Sequence, residues 1–201
     1  MKNILVLNSS LNGENGNSNK LTNTFVEKAQ ESLAVKVSSV DLNAAELSHL
    51  SIEEMTSWQT TPEERTQRQQ TLAAVSDNYI EQLMSADVLV LGMPMYNFGI
   101  PSVFKAWIDR VARAGITFKY TPTGPVGLLD NKKVIVLAAR GGMYAGTPKD
   151  TQTQYLKDVF GFIGLDDVEF VYAEGLAMGE QSYNDAFLQA NEKIIELIGN
   201  L

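Results

Sequence analysis

The sequence predicts an α/β protein with a doubly wound, parallel sheet of five strands and helices on both faces. Five short apolar runs alternate with longer segments whose apolar residues recur at helical spacing. Short, continuous apolar runs are typical of strands that are buried on both faces. The helical segments between them are long enough to return the chain, so that each new strand lies parallel to the last.

The predicted strands cover residues 4–7, 35–40, 88–91, 134–138 and 168–172. The second run alternates apolar and polar residues, so we expect it near an edge of the sheet. Right-handed crossovers leave few topologies for five such strands, and the flavodoxin-like order 2-1-3-4-5 is the natural choice. We therefore expect residues 1–201 to form a single flavodoxin-like domain.

Helical spacing predicts one helix that begins near Lys20 and others over residues 62–85, 102–114, 155–163 and 183–198. Pro62 and the two glutamates after it are expected to open the longest of them. Two stretches do not fit the alternation. Residues 42–62 are irregular, with a short helix at 51–58, and residues 117–129 hold Gly, Pro and aromatic residues that suggest an excursion or hairpin.

Composition excludes several classes of function. The chain has no cysteine and one histidine, which excludes disulfides, cysteine nucleophiles and multi-histidine metal sites and argues against a Ser-His-Asp hydrolase. The net charge of −8 argues against nucleic acid and anionic membranes as partners. No apolar run approaches the ~18 residues of a membrane span, and no cleavage-like site follows the N-terminal run. We therefore expect a cytoplasmic protein with no metal and no membrane partner.

The loop after the third strand holds two aromatics, an amide and two methionines instead of the Ser, Asp and Lys of a solvated loop. Tyr96 and Phe98 can contact a flat ring, and the backbone near Asn97 can bond the polar edge of that ring. The alternative is an ordinary buried turn whose aromatics fill core space.

The loop after the first strand ends where a helix is predicted to begin, and the free N–H groups of a helix start favour an anion. Ser10, Asn17 and Ser18 can add side-chain donors to a terminal phosphate, and Gly16 allows the backbone to approach closely. The alternative is a polar surface loop in which Ser18 is the helix N-cap.

The loop after the fourth strand begins Ala139-Arg-Gly-Gly142. Gly141 and Gly142 expose consecutive N–H groups that can donate to ring carbonyl oxygens, and Arg140 can add positive charge there. The alternative is a plain strand-to-loop turn. All three loops follow strand ends that meet at one edge of the predicted sheet. A ligand with a phosphate on a polar tail and a flat heteroaromatic head would suit them, and FMN matches that description.

Four motifs occur in the order Pro94-Met-Tyr-Asn-Phe98, Val111-Ala-Arg-Ala-Gly-Ile-Thr-Phe-Lys-Tyr120, Arg140-Gly-Gly142 and Gly161-Phe-Ile-Gly164. In this combination the chain resembles the bacterial FMN-dependent NADH:azoreductase family, also described as quinone reductases. The resemblance covers residues 4–175. It implies FMN contacts at Ser10, Gly16, Asn17, Ser18, Met95, Tyr96, Asn97, Phe98, Ala139, Arg140, Gly141 and Gly142.

This chain departs from the family pattern at two of the expected FMN contacts. The family often has Ser where this chain has Gly16 and Ala139. A hydrogen bond to a charged group is worth roughly 1.5–3 kcal/mol, so the loss of two hydroxyls could weaken FMN retention, and the sequence leaves open whether it does. Backbone donors remain at both positions, and loss of the cofactor is not expected.

The resemblance also implies a homodimer with two active sites at the subunit interface. It would put Phe118 and Tyr120 near the partner's flavin and Phe162 in the substrate pocket. The predicted helix at 102–114 carries Phe104, Trp107, Ile108 and Val111, more apolar surface than a half-exposed helix needs. The alternative is that this helix simply packs on the sheet.

The expected activity is NADH-driven, two-electron reduction of quinones and reductive cleavage of aromatic azo compounds to amines. NADH and substrate would occupy the same flavin face in turn, a ping-pong order. The cofactor carries the chemistry, so no catalytic side chain is assigned. A non-enzymatic electron carrier of the same fold is the main alternative. A receiver domain would need acids after the first strand, where this chain has Asn8-Ser-Ser10.

The sequence leaves two points of specificity open. The physiological electron acceptor is not determined, because the shape of the pocket depends on loops. The choice between NADH and NADPH is also open, since Arg65, Arg68 and Arg113 could each reach a phosphate or none.

Overall fold

The computed structural model describes all residues, 1–201, and is built around a five-stranded parallel sheet. The strands in chain order are β1 (Lys2–Asn8), β2 (Val35–Asp41), β3 (Val88–Pro94), β4 (Phe118–Thr121), β5 (Gly124–Gly127), β6 (Lys133–Ala139) and β7 (Asp167–Ala173). The sheet has the order β2-β1-β3-β6-β7, while β4 and β5 pair separately as an antiparallel hairpin. Counting only the sheet strands, this is the predicted order 2-1-3-4-5.

Six helices connect the strands or follow them. They are α1 (Asn17–Ser32), α2 (Ile52–Gln59), α3 (Gln67–Ser85), α4 (Ser102–Val111), α5 (Thr151–Ile163) and α6 (Glu180–Gly199). None of them combines the length and the apolar character that a membrane crossing requires.

The sheet separates two hydrophobic cores. Helices α1 and α6 pack on one face, and α3, α4 and α5 pack on the other. Along β1, Ile4 and Val6 point into the first core, whereas Leu5 and Leu7 point into the second. This two-sided burial explains why the central strands lack polar alternation. Strand β2 alternates between partly buried and exposed residues, as expected at an edge.

Several predicted helix boundaries are wrong, and the caps explain why. Helix α1 begins at Asn17, three residues before the predicted start, because Gly16 is its N-cap. The predicted helix from Pro62 is interrupted: Pro62–Glu64 forms a separate 3₁₀ turn, and α3 begins after Thr66. Thr66 and Gln69 form a capping box, which satisfies two N–H groups at the new start.

The remaining helices differ from prediction at one end. Helix α4 ends at Val111 because Thr117 folds back, donating its hydroxyl to the Val111 carbonyl at 2.6 Å. Helix α5 begins at Thr151, four residues before the predicted start, because Asp150 caps it. Helix α6 begins at Glu180, three residues early.

The apolar side of α4 is buried within a single chain. Phe104, Trp107, Ile108 and Val111 are all 5% exposed or less. The surplus apolar surface inferred for this helix is therefore absent, and the alternative reading, a helix packed on the sheet, is correct. These residues carry no argument for a subunit interface.

A buried ion pair holds the irregular segment before α3. Arg110 on α4 donates to both carboxylate oxygens of Glu54 on α2 at 2.8 Å, and both side chains are almost fully buried. The same guanidinium donates to the carbonyls of Ser48 and Ala106 at 3.0 Å. The segment at 42–62 is therefore fixed by α4 rather than by its own hydrophobic pattern.

Candidate functional site

A crevice of about 200 Å³ lies beyond the carboxyl ends of β1, β3, β6 and β7. This is where parallel α/β sheets bind ligands, next to the point where the strand order reverses. Its lining residues come from four loops: Ser10, Asn12, Asn17 and Ser18; Pro94, Met95 and Tyr96; Ala139, Arg140 and Gly141; and Leu176 and Ala177. The three predicted loops therefore meet at one rim, and the fourth was not predicted.

The start of α1 forms one end of the crevice. The N–H groups of Asn17, Ser18 and Asn19 make no hydrogen bond within the chain. Gly16 is the N-cap and offers no side chain, so the alternative in which Ser18 caps the helix is wrong. The hydroxyl of Ser18 is buried and lies 3.4 Å from Asn19 Oδ1. Three unpaired donors at the positive end of a helix suit an anion.

The loop after β3 is a tight turn with unusual backbone geometry. Tyr96 and Gly99 bond each other's backbone at 2.9 and 3.1 Å, and the two residues between them, Asn97 and Phe98, have φ of 50° and 67°. Positive φ is costly for a bulky residue such as phenylalanine. The N–H groups of Asn97 and Phe98 have no partner within the chain, so this turn presents two donors.

Side-chain hydrogen bonds from α5 and from the turn itself hold that turn in place. Gln152 donates its amide to the carbonyls of Pro94 and Gly99 at 2.9 and 3.1 Å, and Thr151 donates its hydroxyl to the Phe98 carbonyl at 2.5 Å. The Tyr96 hydroxyl accepts from the backbone N–H of Leu11 at 3.1 Å, which links the loop after β1 to the loop after β3. The turn is therefore fixed from both sides.

The loop after β6 contributes a third set of donors. The N–H groups of Gly141 and Gly142 make no hydrogen bond within the chain. The carbonyls of the same stretch accept from the loop after β7: Gly175, Leu176 and Ala177 donate to Gly142, Arg140 and Gly141 at 3.0, 3.1 and 3.0 Å. The fourth loop thus supports the third while leaving its donors free.

The side chain of Arg140 does not bring positive charge to the crevice, and that prediction is wrong. It is 1% exposed and donates to Asp150 at 2.9 Å and to Glu174 at 3.0 Å. The guanidinium also lies over the ring of Tyr172, 4.8 Å from its centre. Two carboxylates therefore neutralise it, and it acts as a buried junction between β6, β7 and α5.

The same junction sets the ionisation of Asp150. Burial raises the pKa of this carboxyl, but hydrogen bonds from Arg140 and from Thr153 outweigh burial and hold the pKa below its usual value. Sequence reasoning missed Asp150, Gln152 and Glu174. An aspartate just before a helical pattern is a recognisable N-cap signal, whereas nothing in the sequence marks the other two.

Comparison with known proteins identifies the family. The family profile described as "Flavodoxin-like fold" matches residues 2–198. The FMN-dependent NADH:quinone oxidoreductase of Alteromonas mediterranea is 57% identical over 197 residues, 98% of each chain. This chain belongs to the FMN-dependent NADH:quinone oxidoreductase family. The oxidoreductase of that name from Pseudoalteromonas atlantica is 55% identical and also covers 98% of each chain.

Solved structures agree with this family. The crystal structure of an azoreductase from Bacillus anthracis superposes with a TM-score of 0.90 at 30% identity and covers 100% of both chains. An FMN-dependent NADH-azoreductase from the same species, in complex with FMN, gives a TM-score of 0.90 at 26% identity, covering 100% of this chain and 99% of that one.

The aromatic residues expected in the substrate pocket of this quinone oxidoreductase family member lie away from the crevice of their own chain. Phe118 and Phe162 pack together with ring centres 4.3 Å apart, and Tyr120 meets Phe118 edge-on at 5.4 Å. Tyr120 is 73% exposed. Phe118 lines a second, mostly apolar groove of about 450 Å³, together with Met55 and Trp58. One chain therefore does not bring these aromatics to its own donor-rich crevice.

The arginines considered for nicotinamide specificity are all paired. Arg113 forms an ion pair with Asp77, and Arg65 lies 3.7 Å from the same carboxylate. Arg68 pairs with Glu53 on the surface. None of the three lines the crevice.

Proposed function

We propose that this protein binds FMN in the crevice and uses NADH to reduce quinones and to cleave aromatic azo compounds to amines. One observation carries the proposal. Backbone N–H groups without partners, at Asn17, Ser18 and Gly141, line the same crevice from the loops after β1 and β6, and Met95 and Tyr96 from the loop after β3 form its third side. Unpaired donors in this arrangement suit a ligand that accepts hydrogen bonds along its length.

The residues fit the two ends of FMN. The phosphate suits the start of α1, where the N–H groups of residues 17–19 are free. The ring system suits the other two loops, where Tyr96 supplies an aromatic side chain and Gly141 and Gly142 supply adjacent donors. The names of the relatives, which include FMN and NADH, support the same choice.

When bound, FMN supplies hydride acceptance from NADH and two-electron delivery to the acceptor. The chain's own residues bind and orient. The tight turn at 96–99 and the loop at 141–142 are rigidly supported, so their donors are fixed before any ligand arrives. No side chain is assigned a proton-transfer role, and solvent supplies the protons. A ping-pong order, in which NADH and acceptor use one binding face in turn, belongs to this proposal.

A homodimer completes the proposed site, with residues 1–201 of each subunit forming one domain. Tyr120 is exposed and the groove beside Phe118 is apolar, and a large exposed apolar region is typical of an interaction surface. Since these aromatics lie away from the crevice of their own chain, they would serve the crevice of the partner.

The test is an initial-rate matrix of NADH and NADPH against a quinone and an azo dye, with FMN supplied and no partner protein. We expect NADH-dependent turnover of both acceptors, parallel double-reciprocal lines, and anaerobic bleaching of the bound flavin by NADH. Protein that binds FMN but oxidises NADH only with an added protein acceptor would be an electron carrier instead. Protein that neither binds FMN nor oxidises NADH would refute the proposal.

Two matched variants test whether the free N–H of Gly141 binds FMN. Gly141→Pro removes the free N–H and breaks no internal hydrogen bond, because this N–H has no partner. Gly141→Ala keeps the N–H, and its Cβ would make only an ordinary contact with Ala177 at 3.5 Å. We expect the proline variant to bind FMN about tenfold more weakly than the alanine variant. Equal affinities would remove Gly141 from the site.

A further inference from the structure

A chain of hydrogen bonds reaches the crevice from α6. Tyr183, in the first turn of that helix, donates its hydroxyl to Oδ1 of Asn17 at 3.1 Å. Lys20 donates its ammonium to the oxygen of Tyr183 at 3.3 Å. Asn17 lines the crevice, whereas Tyr183 and Lys20 lie behind it.

The hydrogen bond with Tyr183 favours one orientation of the Asn17 amide, because Lys20 already donates to the tyrosine oxygen and the hydroxyl hydrogen is left to donate to Asn17. Because Oδ1 accepts from the hydroxyl, the other end of the amide, Nδ2, carries two donors, and these have no partner within the chain. The opposite orientation would present oxygen lone pairs to an anion and repel it. The tyrosine hydroxyl therefore makes the amide a donor toward the start of α1.

Lys20 strengthens this arrangement from outside the crevice. Its ammonium is exposed and stays hydrated, so it avoids the cost of burying a charge beside the ligand. Its hydrogen bond polarises the Tyr183 hydroxyl, and successive hydrogen bonds polarise one another. The tyrosine ring is held by Phe187, with ring centres 4.8 Å apart, so the hydroxyl position does not depend on Asn17 alone.

We infer that Tyr183 is a positioning residue, which orients the Asn17 amide as a donor to the phosphate of the ligand and so favours a phosphorylated flavin over the unphosphorylated one. This inference rests on the proposed function. It predicts an effect confined to the phosphate end, because Tyr183 makes no hydrogen bond to the turn at 96–99 or to the loop at 141–142.

The test compares dissociation constants of FMN and riboflavin, measured by quenching of flavin fluorescence. Tyr183→Phe removes the hydroxyl and keeps the ring on Phe187. We expect FMN affinity to fall about three- to tenfold, the loss of one ordinary hydrogen bond, while riboflavin affinity stays unchanged. In an Asn17→Ala background the same change should have no further effect. Tyr79→Phe, on α3 at the opposite face of the sheet, is the matched control and should leave both affinities unchanged.

The outcomes distinguish failure of the inference about Tyr183 from failure of the proposed function. Tyr183→Phe with wild-type affinity for FMN, or with equal losses for FMN and riboflavin, would overturn the inference while leaving the proposed function in place. An additive loss in the Asn17→Ala background would also overturn it, because the hydroxyl would then act by another route. Wild-type protein that binds neither flavin would overturn the proposed function and the inference together.

Discussion

The side chain of Ser10 occupies the space that a side chain at Gly16 would need. A Cβ built on Gly16 would lie 2.2 Å from Ser10 Oγ and 2.7 Å from Ser10 Cβ. Rotating the hydroxyl would relieve the first clash but not the second, so the backbone would have to shift. Ser10 is fully buried here, and its hydroxyl accepts from the N–H of Asn12 at 3.2 Å. The two residues are therefore interdependent.

Because of this contact, adding a hydroxyl at position 16 should not strengthen binding of the FMN phosphate. Gly16→Ser adds the hydroxyl that the family often has, yet we expect it to weaken FMN binding severalfold, because it displaces Ser10 and the start of α1. Fluorescence titration with FMN measures the effect. Gly199→Ser, where nothing lies within 4 Å of the added Cβ, is the control and should change nothing. Tighter FMN binding by Gly16→Ser would mean that Ser10 moves aside freely.

The buried Arg140 junction should dominate the stability of the site. Arg140→Ala leaves Asp150 and Glu174 buried without their partner, which costs about 3–5 kcal/mol of unfolding free energy. Urea denaturation followed by circular dichroism measures this cost. Arg68→Ala, which breaks only the exposed pair with Glu53, should leave the midpoint unchanged. Similar midpoints for the two variants would contradict the structural role given to Arg140.

Acid should weaken the same junction. The pKa of Asp150 is lower in the folded protein than its usual value, so the folded state favours the ionised carboxyl. This stabilisation is present above the unfolded pKa and is lost as the pH falls through the folded pKa. We expect the unfolding free energy of the wild type to fall more steeply below about pH 4 than that of Asp150→Asn. Parallel pH profiles would show that Asp150 contributes nothing to acid sensitivity.

Two glycines attach the β4–β5 hairpin to the end of α5. A Cβ on Gly127 would lie 2.1 Å from the backbone nitrogen of Gly164, and one on Gly164 would lie 2.3 Å from the Leu129 carbonyl oxygen. We expect Gly127→Ala to cost about 1–3 kcal/mol of stability and to make the hairpin easier to cleave by protease. Gly161→Ala, which meets only Asp166 at 3.4 Å, should be tolerated. Unchanged proteolysis of Gly127→Ala would mean that the hairpin is anchored elsewhere.

Patterns in the amino-acid sequence are enough to predict the sheet, its strand order and the three loops of the crevice. These follow from local signals: apolar runs, helical spacing, and the glycines, prolines and aromatics that come after the strands. Side-chain hydrogen bonds at the helix ends decide three of the boundaries that differ from prediction: Thr66 before α3, Asp150 before α5 and Thr117 after α4. The hairpin at 118–127 was recognised, but its contact with α5 was not.

Contacts between distant elements determine which partner each predicted side chain binds, and no local pattern predicts those contacts. Arg140 is adjacent in sequence to two glycines that keep free donors, yet Asp150 and Glu174 neutralise its charge. Tyr183 lies 166 residues from Asn17 and still orients its amide. Sequence periodicity records which residues are buried, because burial repeats with the geometry of a helix or strand. It cannot record which distant charge or hydroxyl a buried group meets, because that depends on how the elements pack.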